Sequence, residues 1–198
     1  MFAHKYKAKM TKCEEKPHPL GVFRYCPVCG SPNFVTNNEK SKRCADCGFV
    51  YFFNPSGATV AVIVNERDEL LVVRRAKEPA KGTLDLPGGF LDCAETAEEG
   101  IAREVFEETG LEVEQCDYLF SIPNIYPYSG LDVHTMDLFF LCRVKGTQEA
   151  KAMDDAESLA WIPWGQIMPQ EFGLLSVRKG IIRLKMMWTI KNNDINNV

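Results

Sequence analysis

The sequence predicts an α+β fold preceded by a small cysteine-rich module. Three observations carry that expectation. Two Cys-x-x-Cys pairs sit in residues 21–54, and that spacing does not recur. From Gly57 onward, short apolar runs separated by turn residues read as strands. Among them, Thr96 and Gly110 bracket a stretch of helical periodicity. Strands surrounding a few helices point to α+β, or to a mixed sheet sandwiched between helices.

Composition bounds the reading. With 198 residues, the chain is long enough for one sizeable domain and a small module. It is 45% hydrophobic and 25% charged, as globular chains are. A net charge of −4 gives no global drive toward nucleic acid or an anionic membrane. No apolar run approaches the ~20 residues of a membrane span. The start, "MFAHKYKAKM", lacks the apolar segment of a signal peptide, so the cytoplasm is the expected compartment. There the eight cysteines are expected as thiols or metal ligands rather than disulfides.

Residues 1–20, Lys-rich and containing Pro17 and Pro19, read as a loosely held tail. Residues 21–54 hold "CPVCG" and "CADCG", two knuckles with fourteen residues between them. Tetrahedral Zn²⁺ takes four thiolates, and Cys26, Cys29, Cys44 and Cys47 supply two from each knuckle. Gly30 and Gly48 leave room for the tight turn behind each pair. Four protein ligands close the coordination sphere, so this zinc is expected to be structural. Lys40, Lys42 and Arg43 form the module's only basic cluster, which argues against a nucleic-acid partner. Tyr25, Phe34, Phe49, Tyr51, Phe52 and Phe53 are expected to form its small core or a packing face.

Residues 55–198 form the expected main domain. "GATVAVIV" and "ELLVVRR", split by "NERD", read as a β-hairpin. "LDLPGGFLD" is a Gly/Pro-rich turn. Thr96 and Glu99 make a capping box, and Gly110 suits the C′ position. Ile101, Ala102, Val105 and Phe106 are spaced for one buried stripe. "LEVEQCDYLFSI" and "VHTMDLFFLCRV" read as strands around the loop "PNIYPYSG", and "SLAWIPW" as a shorter strand. Ser176 is placed to cap a last helix, whose apolar residues suit packing on the core or on the partner subunit of a homodimer.

The first helix poses the chemical question. Glu104, Glu107 and Glu108 share an arc of roughly 100° near its C-terminus. Like charges at that spacing repel, and the C-terminal end of the helix dipole disfavours anions. Both local effects are adverse, although Arg103 can partly offset Glu107. A bound divalent cation would compensate, because hard cations favour clustered carboxylate oxygens.

From Gly89 the chain runs Gly-x5-Glu95-x7-Arg103-Glu104-Val105-x-Glu107-Glu108-x-Gly110-Leu111, nine specified positions in twenty-three residues. This resembles the Nudix box at every defining position. The resemblance implies the Nudix α/β/α sandwich with a mixed sheet. It also implies a Mg²⁺- or Mn²⁺-dependent hydrolase of nucleoside diphosphates linked to another group. It implies Glu104 and Glu108 as metal ligands, joined by the Gly88 carbonyl, with Glu107 either a third ligand or a base for the water. Glu95 and Arg103 are expected to pair and fix the glycine loop against the helix, and Gly88 and Gly89 to let backbone approach phosphate and metal. Relatives carry a further carboxylate just before a strand containing Trp. Glu157, four residues before Trp161, matches that position best, ahead of Asp154 and Asp155.

Zinc knuckles preceding such a box resemble the NADH pyrophosphatase branch. Its specificity motif, Ser-Gln-Pro-Trp-Pro-Phe-Pro-x-Ser, is half matched by residues 121–129. Ser121, Pro123, Pro127 and Ser129 agree, Tyr126 stands for Phe, and Ile122, Asn124 and Ile125 depart. Ile122, Pro123, Asn124, Tyr126, Tyr128 and Ser129 are the implied substrate contacts, with Tyr126 and Tyr128 able to stack on a base or nicotinamide ring. The expected substrate is a small-molecule nucleotide, a dinucleotide or ADP-X compound such as NADH or ADP-ribose. A nucleoside triphosphate or nucleotide-sugar pyrophosphatase and a non-catalytic ligand sensor on the same fold are the alternatives.

Overall fold

A computed structural model describes residues 18–145, 150–153 and 156–195. The chain divides into two compact units, Met1–Asn54 and Pro55–Val198. None of the described helices is long and apolar enough to cross a membrane.

The first unit is a three-stranded antiparallel sheet of β1 (Phe34–Asn38), β2 (Ser41–Cys44) and β3 (Val50–Phe52). Its core is smaller than the sequence suggests. Cys26, Phe34 and Cys44 are buried with Phe49 packed on them, whereas Tyr25, Tyr51 and Phe52 are exposed. A sheet this small has too little interior for six aromatic rings. Lys42 is drawn inward instead: its ammonium lies over the Phe34 ring and donates to the Phe23 carbonyl. One member of the basic cluster is thus engaged inside the unit. Residues 1–17 lie outside the described residues, but the end of the expected tail is held. Leu20 is fully buried, and the His18 ring is hydrogen-bonded to the Asn38 carbonyl at 2.8 Å.

The second unit has two three-stranded sheets between two helices. β4 (Ser56–Ile63), β5 (Glu69–Arg75), β6 (Leu84–Asp85), α1 (Ala97–Thr109), β7 (Val113–Tyr128), β8 (Leu131–Val144), β9 (Ala156–Pro163) and α2 (Leu175–Ile195) follow in order. One sheet runs β4-β8-β7 and the other β6-β5-β9. The expected β4/β5 hairpin does not form. The two strands meet only at the bridge Val64–Leu70, then diverge, β4 pairing parallel with β8 and β5 antiparallel with β9 and β6. The reason lies in burial. Val60–Ile63 and Leu70–Val73 are buried without alternation, so both faces need cover. Ala61, Ile63 and Leu71 pack with Ile101 and Val105 of α1 on one face. Val60, Val62, Leu70 and Val72 pack with Val177, Ile181 and Leu184 of α2 on the other. The mixed-sheet α/β/α expectation is met.

Three local readings change. Phe106 is exposed, because the buried stripe of α1 runs through Gly100, Ile101, Val105 and Thr109 and turns Phe106 outward. Ser176 lies inside α2 rather than at its cap, with a buried hydroxyl that has no hydrogen-bond partner among the described residues. The expected loop 123–130 is mostly strand. β7 and β8 form a long hairpin closed by Ser129 and Gly130, whose φ of 51° and 77° suit a tight hairpin turn. Pro123 and Pro127 are tolerated because β7 is an edge strand, with one side needing no N–H.

Candidate active site

The capping box forms as expected at the start of α1. The Thr96 hydroxyl accepts from the Glu99 amide, and the Glu99 carboxylate accepts from the Thr96 amide. Gly110 ends the helix at φ 69°, its N–H bonded to the Phe106 carbonyl. The last two turns of α1 therefore hold Glu104, Glu107 and Glu108 beside the segment from Pro87 to Leu91. That segment runs along β4, with the Pro87 and Gly89 carbonyls accepting from Ala61 and Thr59.

Both glycines are required by close approach. Gly88 has φ 145°, and a Cβ there would lie 2.1 Å from the Thr59 carbonyl oxygen. A Cβ on Gly89 would lie 2.6 Å from the Glu104 carboxylate. Bare backbone thus lets the helix carboxylates close onto the loop. The Gly88 N–H donates to Glu108 Oε2 at 3.0 Å.

Arg103 organises the acidic cluster. Its Nε and Nη2 donate to the two oxygens of Glu95 at 2.8 and 3.0 Å, and Nη2 also reaches the Phe90 carbonyl. Its Nη1 donates to Glu104 at 2.9 Å and Glu107 at 3.0 Å. Glu95 thus pairs with Arg103 in the arrangement expected of an architectural contact. The Arg103 guanidinium, helped by the Asp92 amide, holds the Glu95 carboxyl down at about 2. An unfolded Glu titrates near about 4.3. A depressed folded pKa stabilises the fold above the unfolded value, and the contribution is lost as pH falls from about 4.3 toward about 2. Between about pH 5 and pH 3, wild type should therefore lose more Tm than Glu95→Gln. Parallel losses in the two proteins would remove Glu95 from this role.

Glu104 is shifted the other way. Burial pushes its carboxyl up, with Arg103 only partly opposing and Glu107 adding to the rise. A half-buried anion among other anions calls for a further cation, and all available donors are hard oxygens, as Mg²⁺ and Mn²⁺ prefer. The fit is chemical rather than already gathered. Among the described residues, the only three or more His, Cys, Asp or Glu side chains with ligand atoms within 4.8 Å of one another are Cys26, Cys29, Cys44 and Cys47.

Glu104, Glu107 and Glu108 line a cleft of about 350 Å³ with Gly88, Gly89 and Tyr126. Of the expected substrate contacts, only Tyr126 enters it. Its ring meets Phe90 edge-on, with centroids 5.6 Å apart at 89°. Tyr128 lies beyond it, 6.4 Å away and largely exposed. Ile122 is buried in the core and is not among the residues that line the cleft. Pro123 and Asn124 border a separate groove with His134 and Lys179, and Ser129 sits at the exposed hairpin turn. Glu157 is exposed on β9 and is not among the residues that line the cleft, while Asp154 and Asp155 lie outside the described residues. Arg75, Lys77, Asp85 and Phe90 also line the cleft. The sequence reading missed them, though the charged tail of an otherwise apolar run, Arg74-Arg75 after "ELLVV", was a usable signal.

In the first unit the four thiols converge. Cys26 Sγ lies 3.7 Å from Cys47 Sγ, and Cys29 Sγ 3.6 Å from Cys44 Sγ. A ZnS₄ tetrahedron with bonds of about 2.3 Å has edges of about 3.8 Å, so the spacing suits one zinc ion. The Gly30 and Gly48 amides donate to the Cys26 and Cys44 carbonyls, closing the two knuckles. The Cys47 amide draws the Cys44 thiol down to about 7. At Cys29 the Ser31 amide lowers the thiol, but Cys47, burial and the other crowded thiols together outweigh it and hold the group up at about 12.

The chain resembles known proteins over most of its second unit. The family model for the NUDIX domain matches residues 54–183. The NAD-capped RNA hydrolase NudC of Vibrio parahaemolyticus is 29% identical over 120 residues, covering 61% of this chain and 45% of that protein. An ADP-ribose pyrophosphatase of Methanocaldococcus jannaschii is 33% identical over 125 residues, covering 62% of this chain and 71% of that protein. The solved MutT protein of Methanosarcina mazei superposes with a TM-score of 0.60 at 24% identity, over 69% of this chain and 98% of that one, a likeness of fold. The chain spans about half the length of the curated NudC relative.

Proposed function

Since the chain belongs to the NUDIX domain family, we propose that it hydrolyses the diphosphate bond of an ADP-X compound such as NADH or ADP-ribose, releasing AMP. The observation that carries this reading is the shared cleft, in which the box glutamates and Tyr126 face one cavity. Similarity to proteins named NAD-capped RNA hydrolase and ADP-ribose pyrophosphatase supports the same substrate class. Glu104, Glu108 and the Gly88 carbonyl would hold Mg²⁺ or Mn²⁺, with Glu107 a third ligand or a base, and Glu157 is retained as a candidate extra carboxylate. A divalent cation there supplies charge neutralisation of the diphosphate and a more acidic water. The chain's own residues do the rest. Arg103 holds Glu104 and Glu107 in place, and the glycines let backbone reach the phosphates. Tyr126 offers its ring and hydroxyl to the group beyond them. The four cysteines would hold a structural Zn²⁺.

The experiment is a hydrolysis screen with Mg²⁺ or Mn²⁺ across NADH, NAD, ADP-ribose, diadenosine polyphosphates, nucleotide sugars and nucleoside triphosphates. Triphosphates cleaved far faster than every ADP-X compound would overturn the proposal. Ring stacking is worth ~1–3 kcal/mol per base, so Tyr126→Ala should raise KM by roughly one to two orders of magnitude. An unchanged KM would take Tyr126 out of substrate binding.

A further inference from the structure

Arg75 and Asp85 line the same cleft as Glu104 and Tyr126 but lie outside the glutamate cluster. Their ion pair is 2.6 Å long, with side chains 17% and 9% exposed. Arg75 is tied on three sides. Nη1 donates to Asp85, Nε to the Pro79 carbonyl at 2.8 Å, and Nη2 to the Tyr126 hydroxyl at 3.2 Å. A guanidinium has five N–H groups, so two remain beyond these bonds. Asp85 accepts from Arg75 through Oδ2 and from the Leu86 amide through Oδ1, and each oxygen keeps a second lone pair.

The charges of the pair cancel, which makes it a poor anchor for a phosphate. What it offers is a fixed donor beside a fixed acceptor. In a cleft wall this enclosed, a mismatched partner leaves a polar group unpaired. Resting on the reading of the cleft as a nucleotide site, we propose that the Arg75–Asp85 pair reads a substrate ring edge presenting an acceptor beside a donor. A primary carboxamide, as on nicotinamide, has that edge, and so does the aminopyrimidine edge of adenine. Tyr126, tied to Arg75, sets the ring's position against the pair.

The test is calorimetric binding of four mononucleotides to the full chain, which needs no turnover. Nicotinamide mononucleotide is compared with nicotinic acid mononucleotide, which replaces the donor by a second acceptor. AMP is compared with IMP, which reverses the edge. The native edge should bind at least about tenfold tighter in one of the two comparisons, and which one identifies the ring. Ratios within about threefold in both would overturn the proposal. The nearby glutamates also disfavour the extra charge of nicotinic acid, so a variant isolates the pair. Asp85→Asn, whose amide can donate, should shrink the ratio to within about threefold. If circular dichroism shows it unfolded, the double variant Arg75→Gln with Asp85→Asn, which leaves no unpaired buried charge, is expected to shrink the ratio likewise. A folded variant that keeps the full ratio overturns the proposal. Discrimination without hydrolysis of any diphosphate would instead sink the activity proposed above and leave this inference standing.

Discussion

Glu104→Gln and Glu108→Gln should each lower turnover by roughly two to four orders of magnitude while Tm stays nearly unchanged. A ligated divalent cation contributes several kcal/mol of transition-state charge stabilisation, and about 1.4 kcal/mol is worth tenfold in rate. The fold should survive for reasons visible in the contacts. A glutamine at 108 keeps an oxygen that can accept from the Gly88 amide, as Glu108 does at 3.0 Å. At 104, the glutamine oxygen can still accept from Arg103, which loses only one of its anionic partners and keeps Glu95, Glu107 and the Phe90 carbonyl. The measurement is kcat at saturating Mg²⁺ or Mn²⁺ alongside a thermal melt. Near-normal kcat in both variants would refute the assignment of these carboxylates as metal ligands.

Cys26→Ser and Cys44→Ser should lose zinc and unfold the first unit. Purified wild-type protein is expected to carry about one zinc per chain. Structural zinc contributes about 10–16 kcal/mol of binding free energy that is at the same time folding free energy. No other interaction among the described residues of that unit is comparable. Its central apolar cluster is Cys26, Phe34 and Cys44 with Phe49 against them, so two of the three buried members of that cluster are proposed ligands. Native-state hydrogen exchange should show protection lost across β1–β3 and retained in β4–β9. Cys93→Ser, an exposed thiol outside the quartet, should change neither metal content nor exchange. Absence of zinc from freshly purified, unchelated protein would reject the idea.

Local spacing alone determined the helix carrying the glutamates, its capping box and its glycine end. Each depends on contacts no more than a few residues apart in the chain, and the same holds for the two cysteine knuckles. The Glu95–Arg103 pair was legible because eight residues of loop and helix bring the two together. Partner choice was decided only by tertiary structure. β4 and β5 look like a hairpin in sequence, but both faces of both strands are apolar. Covering them required two helices, parallel pairing with β8 for one strand and antiparallel pairing with β9 for the other. The segment 123–130 looks like a loop because of its prolines, and most of it is strand because the edge position spared one row of N–H groups. The far wall of the cleft was legible only in part: Tyr126 was an expected substrate contact, but its meeting with Arg75 and Asp85 was not. Arg75, Asp85 and Tyr126 come from β5, β6 and β7, up to fifty-one residues apart. They meet because separate sheet strands deliver them to one buried point, which no local periodicity encodes.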